Sequence, residues 1–158
     1  QSVKVTIKNN DTYESLSKKI SSISALTIIE CLNVIKNKKE RYIPQDNAEA
    51  TYAKKIEKSE TKINWNDKAK NVLAKINALH PNPGCWFELS GSRIKVLKAI
   101  EIKSQEKPGI VIDNKLSISC SENAIQILQL KKEGKNSMNT SDFLKGYNLK
   151  IGTNLNEK

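Results

Sequence analysis

Cys85-Trp86-Phe87-Glu88-Leu89-Ser90-Gly91-Ser92-Arg93-Ile94-Lys95-Val96-Leu97-Lys98-Ala99-Ile100-Glu101-Ile102 opens the part of this chain in which hydrophobicity repeats every second residue. Successive side chains on a strand point to opposite faces, so a period of two reads as strand. Ser90-Gly91-Ser92 divides the run into two strands joined by a tight hairpin, 85–89 and 93–102. On the second strand Ile94, Val96, Ile100 and Ile102 are expected on one face, with Lys95 on the other. Arg93 and Lys95 lie two apart and so share a side; Lys98 does not join them.

Downstream the pattern continues at 110–112, 116–120 and 124–130. Five short strands separated by turns suggest a small barrel, with the five-stranded oligonucleotide-binding (OB) barrel as the evident candidate. A short helix around 141–145, stopped by Gly146, follows it. Residues 153–158 read as a frayed tail.

Upstream the period changes. Ala69, Val72, Leu73 and Ile76 fall at i, i+3, i+4 and i+7, an amphipathic helix spanning 66–78 with Asn66 as its cap. It ends at His80-Pro81-Asn82-Pro83-Gly84, because a residue before proline is pushed out of the helical region. Residues 37–49 are polar and marked by Pro44, Gln45, Asp46 and Asn47, the signature of irregular backbone. Before them, Val3, Val5 and Ile7 alternate as a strand. Asp11 and Glu14 form a capping-box signal. Two helices then follow, Leu16, Ile20 and Ile23 on the first and Ala25 to Ile35 on the second, parted by the serines of 21–24. A strand and helices of that size look like the tail of an α/β unit, so the chain is expected to begin inside a domain.

The 158 residues carry 27 lysines and arginines against 17 acids, a formal net charge of +10. Such a field favours polyanionic partners. Lysine is nevertheless abundant and arginine scarce (Arg41 and Arg93), which also fits a general compositional drift. No apolar run is long enough to span a bilayer, and no signal peptide is visible at the start. Cys31, Cys85 and Cys120 are odd in number and lack C-x-x-C spacing, so reduced, packed thiols in a cytoplasmic protein are expected rather than a disulfide framework or zinc. His80, the one histidine, cannot build a histidine-based metal site alone. No base–orienter pair is apparent.

Ala50-Thr51-Tyr52-Ala53-Lys54-Lys55-Ile56, with Ile63-Asn64-Trp65 after it, resembles A-T-Y-A-x-K-I leading to I-x-W in methionyl-tRNA formyltransferases. Pro81-Asn82-Pro83-Gly84 is similar to that family's N-P-x-P-G turn, and Gly91-Ser92-Arg93-Ile94-Lys95 to the strand start beyond it. Pro108-Gly109, Cys120, Gly134-Lys135-Asn136-Ser137-Met138 and Asp142-Phe143-Leu144-Lys145-Gly146 continue the likeness in order, and Asp11-Thr12 with Leu16 resembles the end of the family's first domain. Asn77, His80 and Asn82 depart from it, standing where arginine, asparagine and often tryptophan are usual.

The resemblance implies an α+β chain: a remnant of an α/β formyltransferase domain over 1–36, a linker over 37–53 and an OB-like barrel domain over 54–152. It implies a one-carbon transferase acting on initiator methionyl-tRNA, with 10-formyltetrahydrofolate as formyl donor for the full-length enzyme. The family's catalytic asparagine, histidine and aspartate lie upstream of Gln1. This stretch alone is therefore expected to be inactive, without catalytic residues, bound cofactor or metal, and to contribute electrostatic grip on tRNA. Incomplete packing of the first region implies self-association.

The tRNA-binding candidates are Tyr52, Lys54 and Lys55 in the linker, Arg93 and Lys95 on one strand face, and the turn cluster Lys131, Lys132 and Lys135. Basic residues beside an aromatic can hold phosphates and stack a base. The plainer readings are that Tyr52 anchors the linker and that the lysines are only solvated. Trp65 is expected in the core, and Trp86 is expected buried rather than stacking a base. Two rival functions stand beside this one: a stand-alone RNA- or polyanion-binding module, and part of a related sugar-nucleotide formyltransferase.

Overall fold

The computed structural model describes residues 2–147 and 149–156, and the chain forms two compact units, Gln1–Ile56 and Glu57–Lys158.

In the first unit one helix, α1 (Tyr13–Lys36), stands where two were expected. The serine-rich stretch does not break it, because hydroxyls turn back onto their own helix: Ser22 Oγ donates to the Lys18 carbonyl at 3.1 Å and Thr27 Oγ1 to that of Ile23 at 2.9 Å. The cap also differs from the expected Asp11–Glu14 pair. Thr12 accepts from the Ser15 amide and Ser15 Oγ accepts from the Thr12 amide, a reciprocal box one residue further on. Asp11 instead receives Lys19 Nζ at 2.5 and 2.7 Å. Residues 2–7 form no strand, since none of their backbone groups finds a ladder partner among the described residues. Helix α1 buries no side chain, and Leu26, Ile28, Ile29 and Leu32 are all more than half exposed. Residues 37–56 are exposed and irregular, with a turn at 37–38 and a 3₁₀ turn at Asn47–Glu49.

The second unit carries a 3₁₀ turn (Ser59–Thr61), then α2 (Ala69–Leu79), β1 (Cys85–Leu89), β2 (Ser92–Ile102), β3 (Ser117–Ser119), β4 (Ala124–Lys132), β5 (Ser137–Asn139) and α3 (Thr140–Gly146). Asn66 does not cap α2. Asn66 lies in a turn whose amide bonds Asn64 Oδ1, and the helix starts at Ala69, whose amide donates to the Glu122 carbonyl at 3.0 Å. The β1–β2 hairpin turns on Ser90 and Gly91, both at positive φ (49° and 70°), so Leu89 pairs directly with Ser92. Two consecutive positive φ values give the turn whose twist matches the strands it joins.

All pairings are antiparallel, in the order β1-β2-β4-β3, with β5 also on β4. The count of five strands agrees with expectation but the membership does not. Residues 110–112 make only isolated bridges, Ile110 with Asn154 and Val111 with Ile118, whereas Ser137–Asn139 is a strand. The sheet does not close into the expected barrel. The two three-residue strands β3 and β5 lie end to end along one edge of β4, pairing with 124–126 and 129–131, so neither is long enough to return to β1. The outer edge of β1 is covered instead by a parallel bridge from Lys62 to Trp86, with the Ile63 amide donating to the Trp86 carbonyl at 2.8 Å. A covered edge offers no unpaired ladder to a second molecule.

Pairing between β2 and β4 slips between Val96 and Ala99. An irregularity of this kind bends a strand and re-aims its side chains. Ile94 and Val96 are buried, but beyond the slip Ile100 is 42% exposed, so the single apolar face expected from Ile94 to Ile102 ends at the bend. One core results. Trp65 packs edge-on to Phe87 with ring centroids 5.8 Å apart, among Val72, Ile76, Ile94, Ile118, Ile125 and Leu130. Trp65 thus occupies the core, as expected. The tail is not frayed over 153–156: the Leu155 amide donates to the Gly109 carbonyl, the Val111 amide to that of Thr153, and Asn156 Nδ2 to that of Pro108. Residues 157 and 158 lie outside the described residues.

Candidate nucleic-acid interface

Strand alternation builds this site. Cys85, Phe87 and Leu89 point into the core, which turns Trp86 and Glu88 outward on β1; Ile94 and Val96 do the same for Arg93 and Lys95 on β2. The register then aligns one row across three strands, with Trp86 opposite Lys95 and Lys95 opposite Lys131. Like charges directly opposite one another are destabilising, and among the described residues no carboxylate pairs with Lys95 or Lys131. A row of this kind is relieved by an anion.

The row floors a cavity of about 540 Å³ lined by Lys58, Ser59, Thr61, Pro83, Gly84, Trp86, Arg93, Lys95, Lys131, Lys132, Glu133 and Gly134. Five of those side chains are cationic and one is acidic. The Arg93 guanidinium lies over the Trp86 ring, 4.5 Å from its centroid, and Lys62 Nζ is 5.5 Å from the same centroid. Attraction of a cation to the face of an aromatic ring helps hold the guanidinium in place. The indole is fixed in turn: Trp86 Nε1 donates to Thr61 Oγ1 at 3.0 Å, and that hydroxyl donates to the Lys58 carbonyl at 2.7 Å.

Gly84 has a part in this. At φ +77° it takes a backbone conformation that costs other residues energy, and a β-carbon there would sit 2.7 Å from Lys95 Cδ. The Lys95 stem therefore lies across bare backbone, and its ammonium is carried to the cavity rim. Lys132 is held differently, its ammonium donating to the Tyr147 hydroxyl and standing 5.0 Å from the centre of that ring, which itself stacks on Phe143.

Of the residues singled out from sequence, Arg93, Lys95, Lys131 and Lys132 come together here. Lys135 is exposed on the β4–β5 turn and outside the lining. Tyr52 is 92% exposed, and Lys54 and Lys55 are exposed beside it in the first unit. Trp86, expected to be buried, is half-buried, with part of the ring open to the cavity. The alternation of Cys85, Phe87 and Leu89 carried the signal for that. Lys58 was missed, and nothing in its sequence neighbourhood marks it, because a fold-back of the chain brings it to the cavity.

The thiols offer no nucleophile here. Burial pushes Cys85 up to about 11 and Cys120 up to about 12, so both stay protonated at neutral pH. Among the described residues no cluster of histidine, cysteine or acidic side chains could hold a metal, and no helix is long and apolar enough to cross a membrane.

Residues 55–148 match the family described as formyl transferase, C-terminal domain. Curated relatives named methionyl-tRNA formyltransferase include those of Pelagibacter ubique, 37% identical over 96% of this chain, and Bradyrhizobium diazoefficiens, 35% identical over 94%. The enzyme of that name from Afipia carboxidovorans is 44% identical over 65% of the chain. This chain spans 49% of the length of the first two and 34% of the third. Among solved structures, HypX from Aquifex aeolicus has a similar fold, with a TM-score of 0.68 at 19% identity, covering 89% of this chain and 27% of that one. HypX in complex with tetrahydrofolic acid gives 0.59 at 22% identity, over 74% and 22%.

Proposed function

Because this chain belongs to the formyl transferase C-terminal domain family and aligns with the C-terminal portion of methionyl-tRNA formyltransferases, we propose that it supplies electrostatic binding of initiator methionyl-tRNA for N-formylation in translation initiation. The observation that carries this reading is the like-charged row Lys95–Lys131, joined by Lys58 and Arg93 around one cavity and facing a single acid, Glu133. Phosphates relieve such a row while conveying no sequence information. Tyr52, Lys54, Lys55, Lys132 and Lys135 extend the proposed contact set. The formyl donor, 10-formyltetrahydrofolate, belongs in this proposal to the whole enzyme, and no residue of this chain is assigned to it or to catalysis.

The same reading treats 1–36 as the end of the catalytic domain, 37–53 as linker and 54–152 as an OB-like domain, an open version of that barrel whose β1 edge is closed by residues 61–63. It places the protein in the cytoplasm. The exposed apolar face of α1 is proposed to self-associate when this stretch is isolated.

Titration of initiator and elongator tRNA with the chain over a range of salt tests the reading. Each neutralised phosphate contributes roughly 0.7–0.9 to the slope of log affinity against log salt. Four contacts then cost on the order of fifty- to a hundred-and-fiftyfold between 50 and 200 mM. Lys131→Glu and Lys55→Glu should each weaken both tRNAs alike and flatten the slope. Affinity indifferent to salt and to both substitutions would leave the charge without this role.

A further inference from the structure

The cavity holds more than charge. A duplex backbone needs only an open spread of cations, yet here the cations surround a concavity whose wall is a half-buried indole with a guanidinium over its ring. Its volume of about 540 Å³ lies within the range of sites that enclose small organic ligands. We infer that this cavity receives one unpaired ribonucleotide of a bound RNA, its base against the Trp86–Arg93 stack and its phosphate on Lys95, Lys131 and the Arg93 edge. The inference rests on the RNA-binding reading above and adds to it a subsite that distinguishes single-stranded from paired RNA.

Three features support it. The Arg93 side chain accepts no pairing within the protein: among the described residues no carboxylate or carbonyl receives its N–H groups, so the fork is available to a phosphate as a bidentate donor. The stack is built in advance, since the Trp86–Thr61–Lys58 hydrogen-bond relay fixes the ring and the ring fixes the guanidinium. A preset surface loses little freedom on binding. Finally, the row Trp86–Lys95–Lys131 runs across adjacent strands about 4.8 Å apart. An aromatic side chain and two lysines thereby stand side by side on one face of the sheet, within reach of a single nucleotide. A base in a duplex has no free face to offer, whereas an unpaired one stacks on aromatic or guanidinium planes.

The experiment compares a single-stranded oligoribonucleotide with a blunt RNA duplex long enough to remain paired, affinities being normalised per phosphate, titrated into the full chain at one salt concentration and followed by tryptophan fluorescence and by anisotropy of labelled RNA. Trp65 is buried, so quenching on binding reports Trp86. The single strand should bind more tightly per phosphate and quench. Trp86→Leu should lower its affinity on the order of tenfold and lower duplex affinity by a clearly smaller factor. Arg93→Lys, which keeps the charge at an exposed position and so tests the stack without risk to the core, should selectively weaken the single strand as well. Equal loss on both RNAs, or no loss and no quenching while salt-dependent binding persists, would overturn the subsite and leave the electrostatic reading standing. Absence of binding to either RNA would remove both.

Discussion

Replacing Gly84 by alanine probes the point where backbone conformation and the site meet. At φ +77° an L-residue in the left-handed region costs about 1–2 kcal/mol. The new β-carbon would also stand 2.7 Å from Lys95 Cδ and 3.1 Å from its Cγ and Cε, so the lysine stem must leave its rotamer, at about 0.5–1 kcal/mol. The sum is about 2 kcal/mol, and with a urea m-value of about 2 kcal/mol/M the unfolding midpoint should fall by about 1 M. Lys95→Ala removes the crowding but not the backbone cost. In Gly84→Ala/Lys95→Ala the penalty of the alanine should therefore shrink to its conformational part, a coupling of about 0.5–1 kcal/mol by double-mutant cycle. RNA affinity should fall in Gly84→Ala beyond what its stability predicts, because the displaced ammonium leaves the cavity rim. Additive effects within about 0.3 kcal/mol, or a neutral Gly84→Ala, would refute the claim that Lys95 is seated on Gly84.

Three further expectations follow from other parts of the chain. Cys85 and Cys120, pushed up to about 11 and 12 by burial, should resist iodoacetamide at pH 8 in the folded protein, whereas the less buried Cys31 should react first; mass spectrometry of the labelled chain gives the order. The Lys19 ammonium, with the Lys8 amide and the Ser15 hydroxyl, holds the Asp11 carboxyl down at about 2. Because the folded value lies below the unfolded one near 3.9, the stabilisation is present above about pH 4 and is lost as pH falls through about 2. A carboxyl NMR titration with a midpoint near 4 would contradict that, and Asp11→Asn should abolish the effect. Sedimentation should show mass rising with concentration in the micromolar range through the exposed face of α1, and Leu32→Lys with Ile28→Lys should return it to monomer.

Local signals in the sequence were sufficient where an element depends on its own side chains. The period of 3.6 that marked α2, the period of two that marked β1 and the glycine of the hairpin turn act over a few residues, and each of those elements is found within a few residues of where the sequence puts it. The same local logic brought out Arg93, Lys95, Lys131 and Lys132, since charge and alternation are visible without a fold. Trp65, next to the amphipathic helix, was expected in the core and is found there.

What remained hidden depends on partners distant in sequence. Residues 110–112 look as strand-like as 117–119, yet only the second meets β4 along its length. Ser137–Asn139, polar and short, becomes β5 because β4 leaves an open edge beside it. The slip between β2 and β4 turns Ile100 to solvent, and it exists only where two strands must bend together. The cavity itself is of this kind. Lys58 and Trp86 are 28 positions apart and meet through Thr61 because the segment before α2 adds to the edge of β1. Amino-acid order thus determined the elements and most of the charges, through interactions within a helical turn or between alternate residues. Tertiary structure alone decided which strands paired, that the sheet stays open, and that five cations and an indole share one concavity, because those outcomes depend on long-range pairing that no local pattern encodes.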